Sequence, residues 1–237
     1  MKIALVGYGA MGKVVEQNIS DSDRIVGIVD LNNLPSLFAL TEKPDVIVDF
    51  SNPACLDDIC NYASQNKVPV VIATTGYSSE QLEKIKTLSQ SVPVLFSGNY
   101  SLGVILLNRL VKEITPILKD TFDIEIIEKH HNKKVDAPSG TAKMLINSVN
   151  ADGDMNIVYG REGVGKRQKN DVGVHAVRGG TIVGEHQVIY AGTDEVLEIT
   201  HQAHSKAIFA KGALRGAQWL VKKQNGLYNM EDVLFKG

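Results

Sequence analysis

The stretch KIALVGYGAMGKVVEQNISDSDRIVGIVD, from Lys2 to Asp30, decides the fold. It begins with a compact apolar run, 2–6, continues with a segment of helical composition, 10–19, and closes with a β-rich run, 24–29. This order predicts a strand, a helix and a second strand in succession. The chain therefore opens with one unit of an alternating α/β fold.

The same alternation continues as far as residue 96. Three more short apolar runs follow at 46–48, 68–72 and 92–96, and helix-like segments lie between them at 54–65 and 79–90. Short buried strands that alternate with helices are typical of a parallel sheet with helices on its faces. We therefore predict the α/β class for this part of the chain.

Between the first strand and the first helix lies a G-x-G-x-x-G pattern, GYGAMG. Its first two glycines would let the backbone turn beside a pyrophosphate, and the third would let the helix pack on the strand. An acidic residue about 20 positions later, at the end of the second strand, can bind a ribose. A merely tight turn is the alternative, but this context favours a Rossmann-type dinucleotide site. Its predicted contacts are Gly7, Gly9, Ala10, Met11, Gly12 and Asp30.

The dinucleotide predicted for this site is NADH or NADPH. The Asp30 carboxylate would repel the 2′-phosphate of NADPH, whereas Lys13 and the two residues Asn32 and Asn33 would soften that repulsion. We favour NADH.

Other cofactor contacts are expected where the later strands end. In an open α/β sheet the ligand lies beyond the carboxyl ends of the strands. The residues predicted there are Phe50, Ser51, Thr74, Thr75, Gly76, Ser97, Asn99 and Tyr100. Helix capping by Ser51 or Asn52, and by Ser78, is an alternative role that is compatible with cofactor binding.

The composition limits the classes of function. The chain has 237 residues, 43% of them hydrophobic, which is enough for one large domain or two modest ones. A formal net charge of -2 gives no global attraction to nucleic acid or to an anionic membrane. No apolar run approaches the ~20 residues that span a bilayer, and the start lacks the features of a signal peptide. With two cysteines only, Cys55 and Cys60, we expect a protein of the reducing cytoplasm.

The second half of the chain has a different pattern. After a long apolar helix, 102–118, strand-like segments occur at 123–128, 172–178, 181–190 and 195–201, without regular helices between them. We predict an open mixed or antiparallel sheet, with Gly179 and Gly180 as a hairpin connection and a mobile loop over 150–170. A last helix, 206–222, leads into an apolar tail that is expected to pack back onto the first domain.

Polar residues concentrate in the stretch EKHHNKKVDAPSGT, Glu128 to Thr141. If the preceding strand ends near His130 and the chain turns, His130 and His131 can serve one site. Pro138 suits the first turn of the next helix, which would leave the amides of Ser139, Gly140 and Thr141 free to bind an anion. With Lys134 nearby, the stretch suits a small carboxylate beside a proton donor. The structural alternative is that Asp136 caps the helix and the histidines decorate the surface.

A metal site is not predicted. His130 and His131 have no third ligand at a useful spacing, and His201 and His204 have no acidic or cysteine partner nearby in the sequence.

The pattern H-H-x-x-K-x-D-A-P-S-G-T within this stretch resembles the signature of the 4-hydroxy-tetrahydrodipicolinate reductase (dihydrodipicolinate reductase) family at every fixed position. Further segments carry the resemblance over nearly the whole chain: GYGAMG, VDFSNP, ATTGYS, SGNYSLG, VRGGTIVGEHQVIY, LEITHQA and FAKGALRGAQWL. The chain is short for the family, mainly between the second and third strands.

The resemblance implies a dinucleotide-binding domain, 1–101 and 212–237, and an inserted α+β mixed-sheet domain, 102–211, that binds substrate and builds a homotetramer. It implies NAD(P)H-dependent reduction of a cyclic imine dicarboxylate in lysine biosynthesis through diaminopimelate. His130 would be the general acid and Lys134 its helper. The residues implied to hold the substrate carboxylates are His131, Lys134, Ser139, Gly140 and Thr141, and those implied around the nicotinamide are Thr75, Gly76, Asn99 and Tyr100.

Two other functions are compatible with the same residues. One is a reductase of the same two-domain plan that acts on another small oxo or imino acid. The other is a dinucleotide sensor, which would leave two histidines and a lysine gathered in a cleft without a ligand, at a cost in desolvation.

Overall fold

A computed structural model describes residues 1–30 and 32–236. The chain divides into two compact units, Met1–Leu102 together with the segment from Lys206 onward, and Gly103–Ser205. The strands are β1 (Lys2–Val6), β2 (Arg24–Val29), β3 (Val46–Asp49), β4 (Val70–Ile72), β5 (Pro93–Phe96), β6 (Asp123–His130), β7 (Asn156–Tyr159), β8 (Asp171–Arg178), β9 (Gly184–Ala191), β10 (Val196–Ala203) and β11 (Gly226–Tyr228). The helices are α1 (Ala10–Glu16), α2 (Leu56–Asn66), α3 (Ser79–Leu88), α4 (Leu102–Leu118), α5 (Gly140–Val149), α6 (Ala207–Leu220) and α7 (Met230–Phe235).

The first unit is built on a six-stranded sheet with the order β11-β5-β4-β3-β1-β2. All neighbouring strands run parallel, so the predicted parallel α/β sheet is confirmed. β3 and β4 are buried along their whole length, and β1 is buried from Ile3 onward, because helices cover both faces, as parallel sheets require. β1 lies between β2 and β3, so the chain order reverses at β1 and the loops after β1 and β3 are neighbours.

The end of the chain completes this sheet. β11 pairs in parallel with β5, and α6 packs against β3, β4 and β5, so the apolar tail packs back as predicted. The chain returns to the first unit after residue 205, earlier than the expected boundary at 211/212. The reason is that α6 belongs to the first unit over its whole length.

The second unit contains a five-stranded mixed sheet with the order β10-β9-β6-β8-β7. β6 is central: it pairs with β9 antiparallel and with β8 parallel. Alternate residues of β6 are buried, and its apolar residues join a core with α4 and α5. The prediction of a mixed sheet is confirmed.

Two local predictions in this unit are wrong. Gly179 and Gly180 do not join a hairpin, because β6 lies between β8 and β9 in the sheet. Instead Gly179 N–H donates to His130 O (2.9 Å), and Gly180 O accepts from Asn132 N–H (3.2 Å), which ties the glycine pair to the end of β6. The segment 150–170, expected to be a loop, contains β7.

The helix-capping alternatives are resolved in part. The Ser78 side chain caps α3 in a capping box with Gln81. Asn52, and not Ser51, caps the short 3-10 helix Pro53–Cys55 by accepting from Ala54 N–H at 2.9 Å. None of the helices in the described residues is both long and apolar enough to cross a membrane. Cys55 and Cys60 are free thiols.

Candidate active site

The glycine loop after β1 is held in a conformation that only glycine supplies. Gly7 has a φ of +89°, and a Cβ there would lie 2.5 Å from Phe50 O. A Cβ on Gly12 would lie 2.2 Å from Gly7 O, so the first turn of α1 packs directly on the loop. Gly9 is the N-cap of α1, and a Cβ there would meet nothing within 4 Å. This open surface over a tight backbone turn fits the pyrophosphate of a dinucleotide.

Asp30 follows the end of β2. Its Oδ1 accepts from the amides of Asn32 and Asn33, both at 2.8 Å, and from Asn33 Nδ2 at 2.7 Å. The two asparagines thus fold around one carboxylate oxygen, and the other oxygen has no protein partner within the described residues. A carboxylate oxygen of this kind at the end of the second strand fits a ribose hydroxyl.

The predicted residues after β3 and β4 form a connected polar cluster. Ser51 N–H lies 3.0 Å from Asp49 Oδ1 and 2.9 Å from Thr74 Oγ1, and the Ser51 hydroxyl donates to Asp49. Asp49 is fully buried, and burial raises the pKa of this carboxyl despite its hydrogen bonds. Thr75 and Gly76 follow Thr74 and are exposed, with a φ of +84° at Gly76.

The segment after β5 is locally braced. Ser97 Oγ donates to Asn99 O (2.9 Å), and Asn99 Oδ1 accepts from Ser101 N–H (2.8 Å). Tyr100 is 3% exposed, and its hydroxyl lies 2.7 Å from Ile72 O and 3.0 Å from Leu95 O. The side chain of Tyr100 therefore locks the ends of β4 and β5 together.

In the second unit, β6 ends at His130 and the chain then turns, as predicted. The two-residue period of the strand puts Glu128 and His130 on the same buried face, beyond Ile124 and Ile126. Glu128 is completely buried and His130 is 8% exposed. The Nδ1 atom of His130 lies 2.6 Å from Glu128 Oε2, so the strand itself forms a histidine–carboxylate pair.

Glu128 also forms a salt bridge with Arg178, at the end of β8. Arg178 Nη1 and Nη2 donate to Glu128 Oε2 and Oε1 at 2.8 and 2.7 Å, a bidentate pair. Ser139 N–H donates to Glu128 Oε1 at 3.0 Å. Burial alone would raise the pKa of Glu128, but the hydrogen bonds from Arg178, His130 and Ser139 outweigh it and hold the pKa below its ordinary value.

The pKa of His130 lies below its usual value. Desolvation is the main cause, and it outweighs the hydrogen bond and the charge of Glu128, which raise the pKa; Lys134 and Arg178 lower it further. No feature of the sequence indicated this lowered pKa, because burial of the His130 ring depends on tertiary packing.

A second histidine, His186 of β9, faces His130. The ring centroids are 5.1 Å apart with an interplanar angle of 71°. His186 Nε2 lies 2.8 Å from Ser139 Oγ. Burial, and then the charge of His130, lower the pKa of His186 to about 4.

The other predicted residues of this stretch surround the pair. Lys134 Nζ lies 2.7 Å from Asp136 Oδ1, a contact that lowers the pKa of Asp136. The Nδ1 atom of His131 is buried and has no hydrogen-bond partner in the described part of the chain. An unsatisfied buried nitrogen of this kind fits a ligand group that is supplied from outside the protein.

The start of α5 differs from the prediction. Pro138 does not occupy the first turn: the N-cap is Ser139, whose Oγ accepts from Ala142 N–H at 3.1 Å, and the helix begins at Gly140. The amide of Ser139 is not free, because it donates to Glu128. A Cβ at Gly140 would meet nothing within 4 Å, so open space remains at the first helical residue. Thr141 lies in the same turn and is half-buried.

Sequence reasoning missed three members of this cluster: Glu128 as a hydrogen-bond partner, Arg178 and His186. A signal existed for Glu128, since an acidic residue on the apolar face of a strand, two residues before a histidine, is expected to pair with it. Over the described residues, no group of three or more His, Cys, Asp or Glu side chains is arranged to hold a metal ion.

Two family models match the chain. The model described as "Dihydrodipicolinate reductase, N-terminus" matches residues 1–100, and "Dihydrodipicolinate reductase, C-terminus" matches residues 103–234. The chain belongs to the dihydrodipicolinate reductase family. The family resemblance stated from the sequence is confirmed, and the segment that contains the His130 cluster lies within the second model.

Relatives with curated names agree with this family. A 4-hydroxy-tetrahydrodipicolinate reductase from Clostridium novyi is 44% identical over 246 residues, covering 98% of both chains. Another from Caldanaerobacter subterraneus is 44% identical over 252 residues and covers 100% of both. A solved structure, the dipicolinate-bound dihydrodipicolinate reductase from Paenisporosarcina sp. TG-14, matches with a TM-score of 0.77 at 22% identity, over 96% of this chain and 97% of that one. The dihydrodipicolinate reductase fold is thus shared between this chain and that enzyme.

Proposed function

We propose that the protein reduces 4-hydroxy-tetrahydrodipicolinate to tetrahydrodipicolinate with NADH or NADPH, in lysine biosynthesis through diaminopimelate. The observation that carries the proposal is His130, a buried imidazole paired with Glu128 and set beside the N-terminus of α5. Relatives that share 44% of their residues with this chain bear the name of this enzyme. A cyclic dicarboxylate, dipicolinate, is bound by the structural neighbour.

The reaction needs a hydride and a proton. Loss of the 4-hydroxyl as water gives an unsaturated ring; a hydride then adds to ring C4, and a proton adds to the neighbouring carbon. A bound NADH or NADPH supplies the hydride. His130 supplies the proton from Nε2, because Nδ1 is engaged with Glu128.

Substrate binding supports the protonation of His130. The two carboxylates of the substrate bring negative charge, which raises the pKa of a nearby imidazole and opposes the effect of burial. Lys134 would hold a substrate carboxylate in place of its contact with Asp136. His131, Gly140 and Thr141 offer further donors, while Ser139 acts through its N-cap position and its contacts with Glu128 and His186.

The first unit is the proposed site of the dinucleotide. The open, tightly turned loop of Gly7 and Gly9 fits the pyrophosphate, and Asp30 fits the adenosine ribose. Within the described residues one oxygen of the Asp30 carboxylate has no protein donor, so a 2′-phosphate would meet its negative charge. We therefore expect kcat/KM to be higher with NADH than with NADPH, and a direct comparison of the two cofactors checks this.

A cytoplasmic homotetramer built on the second unit is the proposed assembly. The edge strand β10 supports it, since Val196 is 61% exposed and Leu197 is 42% exposed. Sedimentation equilibrium of the purified protein tests the assembly.

The proposed activity is tested with His130→Gln and Lys134→Ala. We expect kcat for the cyclic imine to fall by about 100-fold or more in His130→Gln, because a positioned proton donor contributes 10²–10⁴-fold. His175→Gln is a matched control, since His175 also contacts a glutamate, Glu125, at 2.9 Å. Lys119→Ala matches Lys134→Ala, because both lysine side chains are 22% exposed and paired with aspartate. Turnover within about threefold of wild type in His130→Gln would contradict the proposal.

A further inference from the structure

Glu128 is a buried carboxylate that takes no direct part in the proposed reaction. It is 0% exposed, and its two oxygens accept four hydrogen bonds: from Arg178 at 2.8 and 2.7 Å, from His130 at 2.6 Å and from Ser139 N–H at 3.0 Å. A charge this deeply buried is costly unless it is paired, and here the pairing is complete. The arrangement links the proton donor to two other elements of the second unit, β8 and α5.

We infer that Glu128, held by Arg178, is the positioning residue of His130: it fixes the ring so that Nδ1 keeps its hydrogen and Nε2 carries the transferable proton. The inference deepens the proposed function and rests on it. Glu128 touches neither the substrate nor the cofactor in this role, and its own proton state does not change.

The tautomer follows from the hydrogen bonds. An ionised carboxylate can only accept, so the His130 nitrogen that faces Glu128 must be the donor. Nε2 is then a lone-pair acceptor in the neutral ring and the acidic N–H in the charged ring. A Cβ at residue 184 would lie 3.1 Å from this Nε2, so Gly184 leaves room on the side where the proton must depart.

The transfer balances without Glu128 as a proton carrier. The Nε2–H bond of His130 breaks and a C–H bond forms at the ring carbon next to C4, while Nδ1–H remains with Glu128. The neutral imidazole then regains a proton from water at Nε2. The other neutral tautomer would carry its hydrogen on Nε2 and set a bare Nδ1 against the Glu128 carboxylate, two acceptors facing each other, so the pair maintains the Nδ1–H form between turnovers.

The charges around His130 act on its pKa in opposite directions. The charged and titratable groups that face His130 are Glu128 on its own strand, Arg178 on β8, His186 on β9 and Lys134 in the following turn. Glu128 is the one among them whose charge raises the pKa of His130; Lys134 and Arg178 lower it. Removal of Glu128 and removal of Arg178 must therefore move the titration of His130 in opposite directions, which a purely structural role does not require.

The test is an NMR titration of the C2–H resonance of His130 in the full-length protein, assigned by its loss in His130→Gln. In Glu128→Gln we expect the pKa of His130 to fall by about half a unit or more, and in Arg178→Gln to rise by a similar amount. Arg178→Lys keeps the charge, so it should stay closer to wild type than Arg178→Gln. Glu125→Gln is the matched control, because Glu125 lies on the other face of β6 and also contacts a histidine and two arginines.

Kinetics supply the second measurement. For a general acid, kcat/KM falls as pH rises through the pKa of the free enzyme, so this fall moves to lower pH in Glu128→Gln and to higher pH in Arg178→Gln. We also expect kcat to drop by about tenfold or more in Glu128→Gln, with a smaller change in KM.

Shifts of the His130 titration in the same direction in both variants, or no shift in either, would overturn the inference. If Glu128→Gln does not fold, Glu128→Asp replaces it: the shorter carboxylate keeps the charge but loses reach to Nδ1, and an unchanged kcat would then also contradict positioning. The titration needs no turnover. Failure of the proposed function would show instead as full activity in His130→Gln, whatever result the titrations give.

Discussion

At the residue scale, the buried pair of histidines makes stability depend on pH. His186 is 4% exposed and has a pKa of about 4, against about 6.5 when unfolded. Between these two values the unfolded chain binds more protons, so stability rises with pH across this window and is lost as pH falls from 6.5 towards 4. The neutral imidazole is the form that the native structure tolerates.

We predict that His186→Gln has a weaker pH dependence of stability than wild type. A group shifted by this much contributes about 2 kcal/mol to the difference between pH 7 and pH 4.5. The free energy of unfolding from urea titrations at the two pH values measures it. His175→Gln, on a residue with a side chain 32% exposed, is the control and should keep the wild-type slope. Equal slopes in wild type and His186→Gln would refute the assignment.

The residues of the second-unit site differ in how far the sequence could predict them. His130, Lys134 and Ser139 lie in one short stretch, so local spacing placed them together. Arg178 and His186 contact residues that are 50 and 47 positions away in the chain. Such contacts are set by strand order, and the order of β6, β8 and β9 was not available from local pattern.

At the scale of elements, α6 shows how glycines set the distance between a helix and a sheet. A Cβ on Gly212 would lie 1.7 Å from Tyr100 O, a backbone atom, whereas a Cβ on Gly216 would lie 2.4 Å from Leu95 Cδ2, the end of a side chain. Both glycines are buried within the helix. Side chains can shift more cheaply than a strand end, so the two positions should respond differently to the same substitution.

We predict that Gly212→Ala destabilises the protein by about 2 kcal/mol or more, because overpacking against backbone outweighs the gain of about 1 kcal/mol in helix propensity. Gly216→Ala has the same gain in propensity and is the matched control, with a smaller loss expected. Chemical denaturation of the two variants gives the comparison. A Gly212→Ala protein as stable as Gly216→Ala would show that α6 can move away from Tyr100 at little cost.

Element types were predicted better than element connections. The helix 102–118 and the parallel strands followed from composition and periodicity, which are local properties. β7 was missed because the strand has only four residues, is partly exposed, and is followed by glycines and charged residues. The prediction of a hairpin at Gly179 and Gly180 was wrong. A glycine pair permits a reversal of the chain, but it does not decide whether the strands before and after it pair with each other.

At the scale of the whole molecule, the two units differ in how the chain builds them. The second unit is continuous, Gly103–Ser205, and has its own apolar core between α4, α5 and the mixed sheet. The first unit is discontinuous, because α6, β11 and α7 return to it after the second unit is complete. The resemblance to a known family implied this insertion, whereas composition alone allowed one domain or two.

This difference predicts which fragments fold. Fragment 103–205 keeps every strand of its sheet and the core around Ile126, Leu145 and Val188, so we expect a cooperative thermal transition. Fragment 1–102 lacks α6, which buries Ala213, Ala217 and Leu220, and leaves the edge of β5 without β11. It should therefore melt without cooperativity or aggregate. Circular dichroism and calorimetry of the two fragments measure the difference.

The control for this prediction restores what fragment 1–102 lacks. Joining it to residues 206–237 through a flexible Gly/Ser linker of about 20 residues, with a root-mean-square span of about 25 Å, should recover the cooperative transition. The joined protein should also bind NADH, since the proposed dinucleotide residues all lie in the first unit. A cooperative melt of fragment 1–102 alone would show that five strands, α1, α2 and α3 suffice, and that the returning segment is not needed to complete the core of this unit.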